Sequence, residues 1–370
     1  MQIRRAVRPT LAALGGVGKD DALALVGLSG GADSLALAAA VAAEAGQAGV
    51  RAGAVIVDHA LQSGSKRVAD SAAAQARGLG LAPVVIRRVE VAAAGGPEAA
   101  ARDARYGAFV TVAAELGAAA VLTAHTRDDQ AEQVLLALAR GSGTRSVAGI
   151  PSSRPLSDGV DLLRPLLGET WKITRATTEA ACAELGLTPW NDPHNLDASY
   201  ARVRVRETAL PTLARELGPG VVAGLARSAD LAREDADALD DWAGRVVAAL
   251  LPTVRPLPEG GEAAQRRAAE GPAHPGPAPE RQVIDAGGVS VLEGLPAAVR
   301  QRAIHQMARE YFGAALTREH TLSIAALITH WKGQGPVFVP GIRVTRVAGE
   351  LVCDPQNGSP RDTHSMLAES

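Results

Sequence analysis

The sequence predicts an α/β protein, a doubly wound and mainly parallel sheet followed by a helical linker and a small α+β domain. Three observations predict it. From Ala22 to about Ala124, apolar strand-like runs alternate with Ala-rich amphipathic stretches. Each polar cluster of that region follows the end of a strand, which puts them all on one rim, where such sheets bind ligands. Beyond Leu250 the composition turns to Pro, Gly, Glu and Ala before a new apolar pattern begins at Val283.

The strands are expected at Ala22–Leu28, Arg51–Val57, Pro83–Val89 and Ala119–Thr123. Helical patterns cover Ser34–Glu44, Lys66–Gly80, Glu98–Leu116 and Asp129–Ala139. A helix from about Thr170 to Leu185 and further helical stretches to roughly Leu250 follow. The second domain carries helices around Pro296–Phe312 and Thr317–Trp331, then a hairpin-like pair, Val337–Val339 and Ile342–Val352, about Pro340-Gly341. These boundaries divide the chain into a nucleotide-using domain (1–215), a helical linker (216–250), a Pro/Gly-rich segment with little to bury (251–281), a small domain (282–354) and a frayed tail (355–370).

At 370 residues both domains have enough chain for a core of their own. The 38 basic residues nearly balance the 40 acidic ones, so no global field advertises nucleic acid, and any such contact must be a local patch. Cys182 and Cys353 stand far apart in no metal spacing, against zinc, an iron–sulfur cluster or a disulfide scaffold. The N-terminus has no apolar signal region and no run is long enough to span a bilayer, so a cytoplasmic setting without membrane contact is expected.

The segment Leu28-Ser29-Gly30-Gly31-Ala32-Asp33-Ser34 reads as strand, tight glycine turn, helix. Such a turn aims unpaired backbone N–H groups and the positive end of a helix dipole at one spot, and the hydroxyls of Ser29 and Ser34 add to a phosphate cradle. Asp33 has the wrong charge for phosphate and implies a divalent cation, Mg²⁺ above all, bridging carboxylate and phosphate. The Walker spacing and its Lys are absent. A capped helix start is the bland alternative.

Three further clusters follow. Asp58 and His59 end the second strand and suit nucleotide contacts, or they cap the next helix. Glu98, Arg102 and Arg105 share one face of a helix opened by Pro97, either as a phosphate-directed set or as a surface ion pair. His125, Asp128, Asp129 and Glu132 crowd a strand-to-helix junction. Three acids in five residues repel unless a cation or a basic substrate offsets them, although an Asp cap with Glu near N3 accounts for one of them. Last, Trp190-Asn191-Asp192-Pro193 leads to Tyr200, Arg202, Arg204 and Arg206. If extended, the three arginines share a face suited to single-stranded RNA; the alternative is a solvated helix start.

The loop S-G-G-x-D-S resembles the pyrophosphate loop of the N-type ATP pyrophosphatases, with their adenine nucleotide alpha hydrolase-like fold. Taken in order, S-G-G-A-D-S, V-D-H-A-L, E-A-A-A-R-D-A-R-Y, T-A-H-T-R-D-D-Q-A-E, R-G-S-G, R-P-L-L and W-N-D-P-H-N-L-D-A-S-Y-A-R resemble the bacterial tRNA(Ile)-lysidine synthetases over about residues 20–215. Val283–Phe312 is loosely similar to that family's tRNA-contacting domain. Gln62, Gln133 and Val203 depart from the family pattern, where Arg, Thr and Asn are usual.

The resemblance implies a ligase that uses ATP and L-lysine to convert the wobble cytidine of a CAU-anticodon isoleucine tRNA into lysidine. It implies that Ser29, Gly30, Gly31, Ala32 and Ser34, with Asp58 and His59, hold the nucleotide, and that Asp33 holds Mg²⁺. Arg102 and Arg105 would face the α-phosphate or the adenylylated base. Asp129 and Glu132 would steer lysine, Glu98 and Asp128 would contact lysine or the tRNA, and Asp129 or His125 would be the base. Asn191, Asp192, Arg202, Arg204 and Arg206 would meet the tRNA. A homodimer is left open. A thiolase of the same superfamily is disfavoured because the chain has no C-x-x-C and neither cysteine is expected near the loop. An amidotransferase lacks a glutaminase-like Cys/His unit, and a nucleotide sensor would have little use for the acidic cluster.

Overall fold

The computed structural model describes residues 1–16, 21–60, 64–90, 97–168, 173–192, 195, 197–250, 254–256 and 281–356, with backbone alone at 97–99 and 254–256. The chain divides into two units, Met1–Arg233 and Glu234–Ser370.

The first unit is built on six strands: β1 (Ala22–Gly27), β2 (Val50–Asp58), β3 (Val84–Arg88), β4 (Ala118–Leu122), β5 (Ser153–Ser157) and β6 (Val160–Leu163). Their spatial order is β3-β2-β1-β4-β6-β5, and every pairing is parallel except β5 with β6. The order reverses between β1 and β4, which opens a crevice at their carboxyl ends. The central residues of β1 are buried without alternation, as a strand covered on both faces requires.

Helices α1 (Gln2–Leu14), α2 (Ala32–Glu44), α3 (Ser65–Gly78), α4 (Pro97–Leu116), α5 (Arg127–Ala139), α6 (Thr144–Val147), α7 (Arg175–Glu184), α8 (Ala201–Arg204), α9 (Leu210–Leu217) and α10 (Val221–Leu250) surround or follow the sheet. The Ala-rich α2 is buried along nearly its whole length, because small side chains let α1, α7 and the sheet approach it closely. Where β1 meets the loop, a Cβ on Gly27 would lie 2.8 Å from the Phe109 ring, so glycine is needed for α4 to close on that strand.

The four expected strands and four expected helices of this region are present, with ends shifted by one to two residues. Four elements differ from expectation. The amphipathic helix α1 was not foreseen; it docks through Arg4 and Arg8 on the buried carboxylate of Glu44. The strands β5 and β6 were also unforeseen, being short and only half apolar. The expected helix at Thr170–Leu185 begins at Arg175, where Thr174 caps it; residues 169–172 lie outside the described residues.

The second unit carries an antiparallel sheet of β7 (Val254–Pro256), β8 (Gln282–Ile284), β9 (Val337–Val339), β10 (Ile342–Val347) and β11 (Glu350–Pro355), in the order β7-β8-β11-β10-β9. The second hairpin arm is two strands, not one: Ala348 and Gly349 both adopt positive φ and turn the chain back. Helices α11 (Ala286–Gly294), α12 (Ala297–Phe312) and α13 (Arg318–Thr329) complete a core of Leu292, Ile304, Leu327 and Ile328 with Val344 and Leu351. Most of segment 251–281 and of the tail 355–370 lies outside the described residues, but Val254–Pro256 is a paired strand, not part of an unstructured linker. No helix among the described residues is long and apolar enough to cross a membrane.

Candidate active site

The loop between β1 and α2 is the centre of the site. Gly30 holds φ +86°, a conformation that glycine adopts without steric cost. Gly31 is the extended N-cap of α2. The hydroxyls of Ser29 and Ser34 lie 3.1 Å apart, and Ser34 donates to the Gly31 carbonyl at 3.0 Å, which fixes the turn from inside. Trp190 donates its backbone N–H to the Gly30 carbonyl at 2.9 Å. Trp190 is thereby seated directly on the loop.

Asp33 follows in the first turn of α2. Its carboxylate accepts from the Thr178 hydroxyl, and Arg175 Nε lies 3.9 Å from Oδ2. Burial pushes this carboxyl up to about 6, against the pull of Thr178 and with added pressure from Asp129. A carboxylate so poorly compensated fits a divalent cation, which would favour its ionised form.

The acidic cluster lies across the crevice at the start of α5. Thr126 is the N-cap and Asp129 the N3 residue of a capping box, so the cap is a Thr and not the expected Asp. Asp129 Oδ2 accepts from Thr126 N at 2.8 Å and Oγ1 at 3.0 Å. Asp128 accepts from the Arg175 backbone N–H at 2.9 Å and so caps α7.

Glu132 is fully buried and meets three guanidiniums: Arg202 Nε at 2.7 Å, Arg206 Nε at 2.7 Å and Arg175 Nη2 at 3.4 Å. Arg202 and Arg175 also reach Asp129 Oδ1, at 3.1 and 3.5 Å. The chain itself thus supplies the cations that this cluster demands. Arg202 and Arg206 come from a helix with a π turn at Val205–Ala209, not from an extended ladder. Four-residue spacing puts these two on one face, buried against Glu132, while the exposed Arg204 turns away and donates to the Ala198 and Ser199 carbonyls at 2.7 Å. Val203, where the family pattern has Asn, is a buried anchor of the same helix.

His125 contacts Thr123 Oγ1 through Nδ1 at 3.2 Å. Burial, reinforced by Arg164, Arg202 and Arg102 and opposed by Asp129, pushes it down to about 3, so it is neutral at physiological pH. Asp129 is held below the usual carboxylate range: burial alone would raise it, but Arg202 and His125 outweigh that.

At the end of β2, Asp58 accepts from the Ala60 N–H at 3.0 Å, and His59 Nδ1 is buried without a partner among the described residues. Burial and Arg105 lower the His59 value. Arg102 lies over the Tyr106 ring at 5.0 Å and Arg105 is exposed on the same helix. Asn191 is exposed and Asp192 half-buried beside Trp190. The Glu98 side chain and Gln62 lie outside the described residues.

Four residues here escaped the sequence reading as site residues: Arg154, Arg164, Arg175 and Thr178. Arg164 opens R-P-L-L, whereas no local signal marks Arg175, because Glu179 four residues on offers it an ordinary helix partner. Cys182, expected away from the loop, is buried on α7 with its thiol 3.3 Å from the Ala32 carbonyl; both cysteines are free. Among the described residues no group of His, Cys, Asp and Glu forms a metal cluster.

A parallel sheet with this reversal, a glycine turn and a facing acidic cluster defines a PP-loop protein, and residues 3–213 match the PP-loop domain family. The chain is 51% identical to the tRNA(Ile)-lysidine synthase of Leifsonia xyli over 90% of each chain. It is 50% identical to that of Salinispora arenicola, over 95% of this chain and 96% of the relative. It belongs to the tRNA(Ile)-lysidine synthase family. A U34-tRNA thiolase from Methanococcus maripaludis, solved with its 4Fe-4S cluster, shares the fold with a TM-score of 0.51 at 21% identity, over 62% of this chain and 78% of the thiolase.

Proposed function

We infer that this protein converts the wobble cytidine of a CAU-anticodon isoleucine tRNA into lysidine, using ATP and L-lysine. The observation that carries the reading is Arg175, which lies within 3.9 Å of Asp33 on one side and within 3.5 Å of Asp129 and Glu132 on the other. A single cation therefore joins the phosphate loop to the acidic cluster, as two consecutive steps on one base demand.

In the first step the cytosine C2 oxygen attacks the ATP α-phosphate and pyrophosphate leaves. The backbone of Ser29, Gly30, Gly31 and Ala32, with Ser34, holds the leaving phosphates. Asp58 and the unpartnered Nδ1 of His59 suit the nucleoside. Asp33 would hold Mg²⁺, which supplies charge neutralisation for pyrophosphate. Arg105 is assigned to the reacting phosphate, and Arg102, held over the Tyr106 ring, is not.

In the second step the lysine ε-amine attacks C2 and AMP leaves. Asp129, with Asp128 and Glu98, attracts the cationic substrate, while Glu132 is closed off by its three arginines. Arg202 and Arg206, engaged with Glu132, set the shape and charge of that cluster, and we assign them there and not to the RNA backbone. Arg204, Asn191 and Asp192 stay on the tRNA side. His125 and Asp129 are both unprotonated at neutral pH, the form a base must have, and both hold a proton weakly. Proton transfer must then accompany C–N bond formation and not precede it.

The test is pyrophosphate release by the purified protein with unmodified CAU isoleucine tRNA, with and without L-lysine, followed by nucleoside mass analysis. Release that needs this tRNA, plus a lysine-sized mass gain on cytidine, supports the reading. Release with another acceptor keeps the PP-loop chemistry and overturns the lysidine assignment.

A further inference from the structure

Tyr106 sits at the centre of an arginine cluster that the reaction described above does not use. Its ring lies between the guanidiniums of Arg102, 5.0 Å from the centroid, and Arg154, 4.9 Å from it. The guanidinium of Arg164, a residue only 2% exposed, is a third cation acting on its phenol. Arg164 also donates Nη1 to the Pro151 carbonyl at 2.7 Å, and its Nε has no partner. Phe109 packs edge-on against the ring at 5.9 Å and stops it from turning.

Among the described residues no carboxylate pairs with Arg102, Arg154 or Arg164. Three guanidiniums around one ring repel one another, and an anion bound between them would relieve that repulsion. The cation–π contacts hold the two outer guanidiniums at fixed positions without consuming their N–H donors. Those donors are the planar fork that suits phosphate.

The place of the cluster narrows the source of that phosphate. Arg154 is on β5, three strands from β1 in the sheet order, and it lies at the same end as Leu163 and Arg164. Three strand spacings are about 14 Å. That spacing, taken between backbones, sets β5 apart from the Gly30–Gly31 turn and toward the next nucleotide of an extended RNA strand, and the KM for ATP separates the two phosphate sources.

We propose that Arg154 and Arg102, held apart by Tyr106, form a phosphate clamp for the RNA backbone next to the reacting cytidine. Tyr106 is the positioning residue, and Arg164 is the buried third cation of the cluster. The proposal rests on the tRNA reading given above.

The test compares Arg154→Gln, Tyr106→Leu and Tyr106→Phe with the unaltered protein, measuring KM for CAU isoleucine tRNA at several salt concentrations and KM for ATP. Arg154→Gln should raise the tRNA KM about tenfold and reduce the log–log salt slope by about one, with the ATP KM within about twofold. Tyr106→Leu should reproduce the loss in tRNA KM, and Tyr106→Phe, which keeps the ring, should restore most of it. Thermal unfolding of each variant separates this from a folding defect. An unchanged tRNA KM and salt slope in Arg154→Gln overturns the clamp while the enzyme reading stands. A parallel rise in ATP KM also overturns it and assigns the cluster to the nucleotide. Failure of the unaltered protein to modify the transcript overturns both.

Discussion

Glu132 accepts a hydrogen bond from Arg202 Nε at 2.7 Å, across seventy residues of sequence and with its carboxylate fully buried. The pair welds the first turns of α5 to the helix that follows the W-N-D-P segment. Arg206 and Arg175 close the same carboxylate from two other sides. An acidic cluster that repels itself in sequence is thus a neutralised, rigid element of the fold.

Glu132→Gln should unfold at lower temperature. Removing one partner of a buried ion pair costs about 3–5 kcal/mol, because the remaining charges stay buried. For a chain of 370 residues that is a drop of about 4–6 °C in thermal unfolding. A melting temperature within about 1 °C (roughly the effect of less than 1 kcal/mol) would contradict the central place given to this carboxylate.

Asp129→Asn should separate the two chemical steps. Asn keeps an acceptor for the Thr126 N–H, so the helix start survives, but the charge that attracts lysine is gone. Pyrophosphate release with tRNA alone should persist, and lysidine formation should fall by at least about a hundredfold. Loss of both steps would refute that division.

Asp33 gives a pH signature. Its folded value, about 6, lies above the ordinary Asp range, so the folded chain binds this proton more tightly than the unfolded one. The sign follows: stability from this group is present below the ordinary Asp value and is lost as pH rises to about 6. Against Asp33→Asn, the unaltered protein should lose relative stability between pH 4 and pH 7. Mg²⁺ with ATP should raise its melting temperature more at pH 7 than at pH 5. A pH-independent difference between the two proteins would rule out the buried, under-compensated carboxyl.

In the second unit a cavity of about 40 Å³ lies among Leu292, Ile304, Met307, Ile328 and Val344, beside the unpartnered Tyr311 hydroxyl. Val344→Ile adds one methyl group pointed at this space. Filling it should stabilise the protein by up to about 1 kcal/mol, at roughly 24 cal/mol per Å³. Chemical denaturation measures this directly, and a loss of stability would mean that the packing around Val344 leaves no room.

The sheet, its rim and the phosphate loop were legible because each depends on local signals. Apolar runs of strand length, Ala-rich helical stretches and the glycine pair at Gly30-Gly31 act over a few residues. The strands β5 and β6 were not legible: Ser153–Ser157 is polar and includes Pro155, and β5 lies at the sheet edge, where little burial marks the pattern. Helix α1 was missed for a related reason, since four of its thirteen residues are Arg or Gln outside any motif, and only its buried face identifies it. The division of Ile342–Val352 into two strands depended on positive φ at Ala348, which an alanine does not announce.

The sequence by itself determined the alternation of strands and helices, the glycine turn with Asp33 at its helix start, and the residue types of the acidic cluster. Spacing along the chain is enough for these, because a helix or a turn is set by its near neighbours. Which charges meet was decided only by the tertiary structure. Arg175, Arg202 and Arg206 reach Glu132 from forty-three to seventy-four residues away, Thr178 reaches Asp33 from 145 away, and Trp190 closes on Gly30. Long-range ion pairs leave no local pattern, since their energy is realised only when burial removes the competing water.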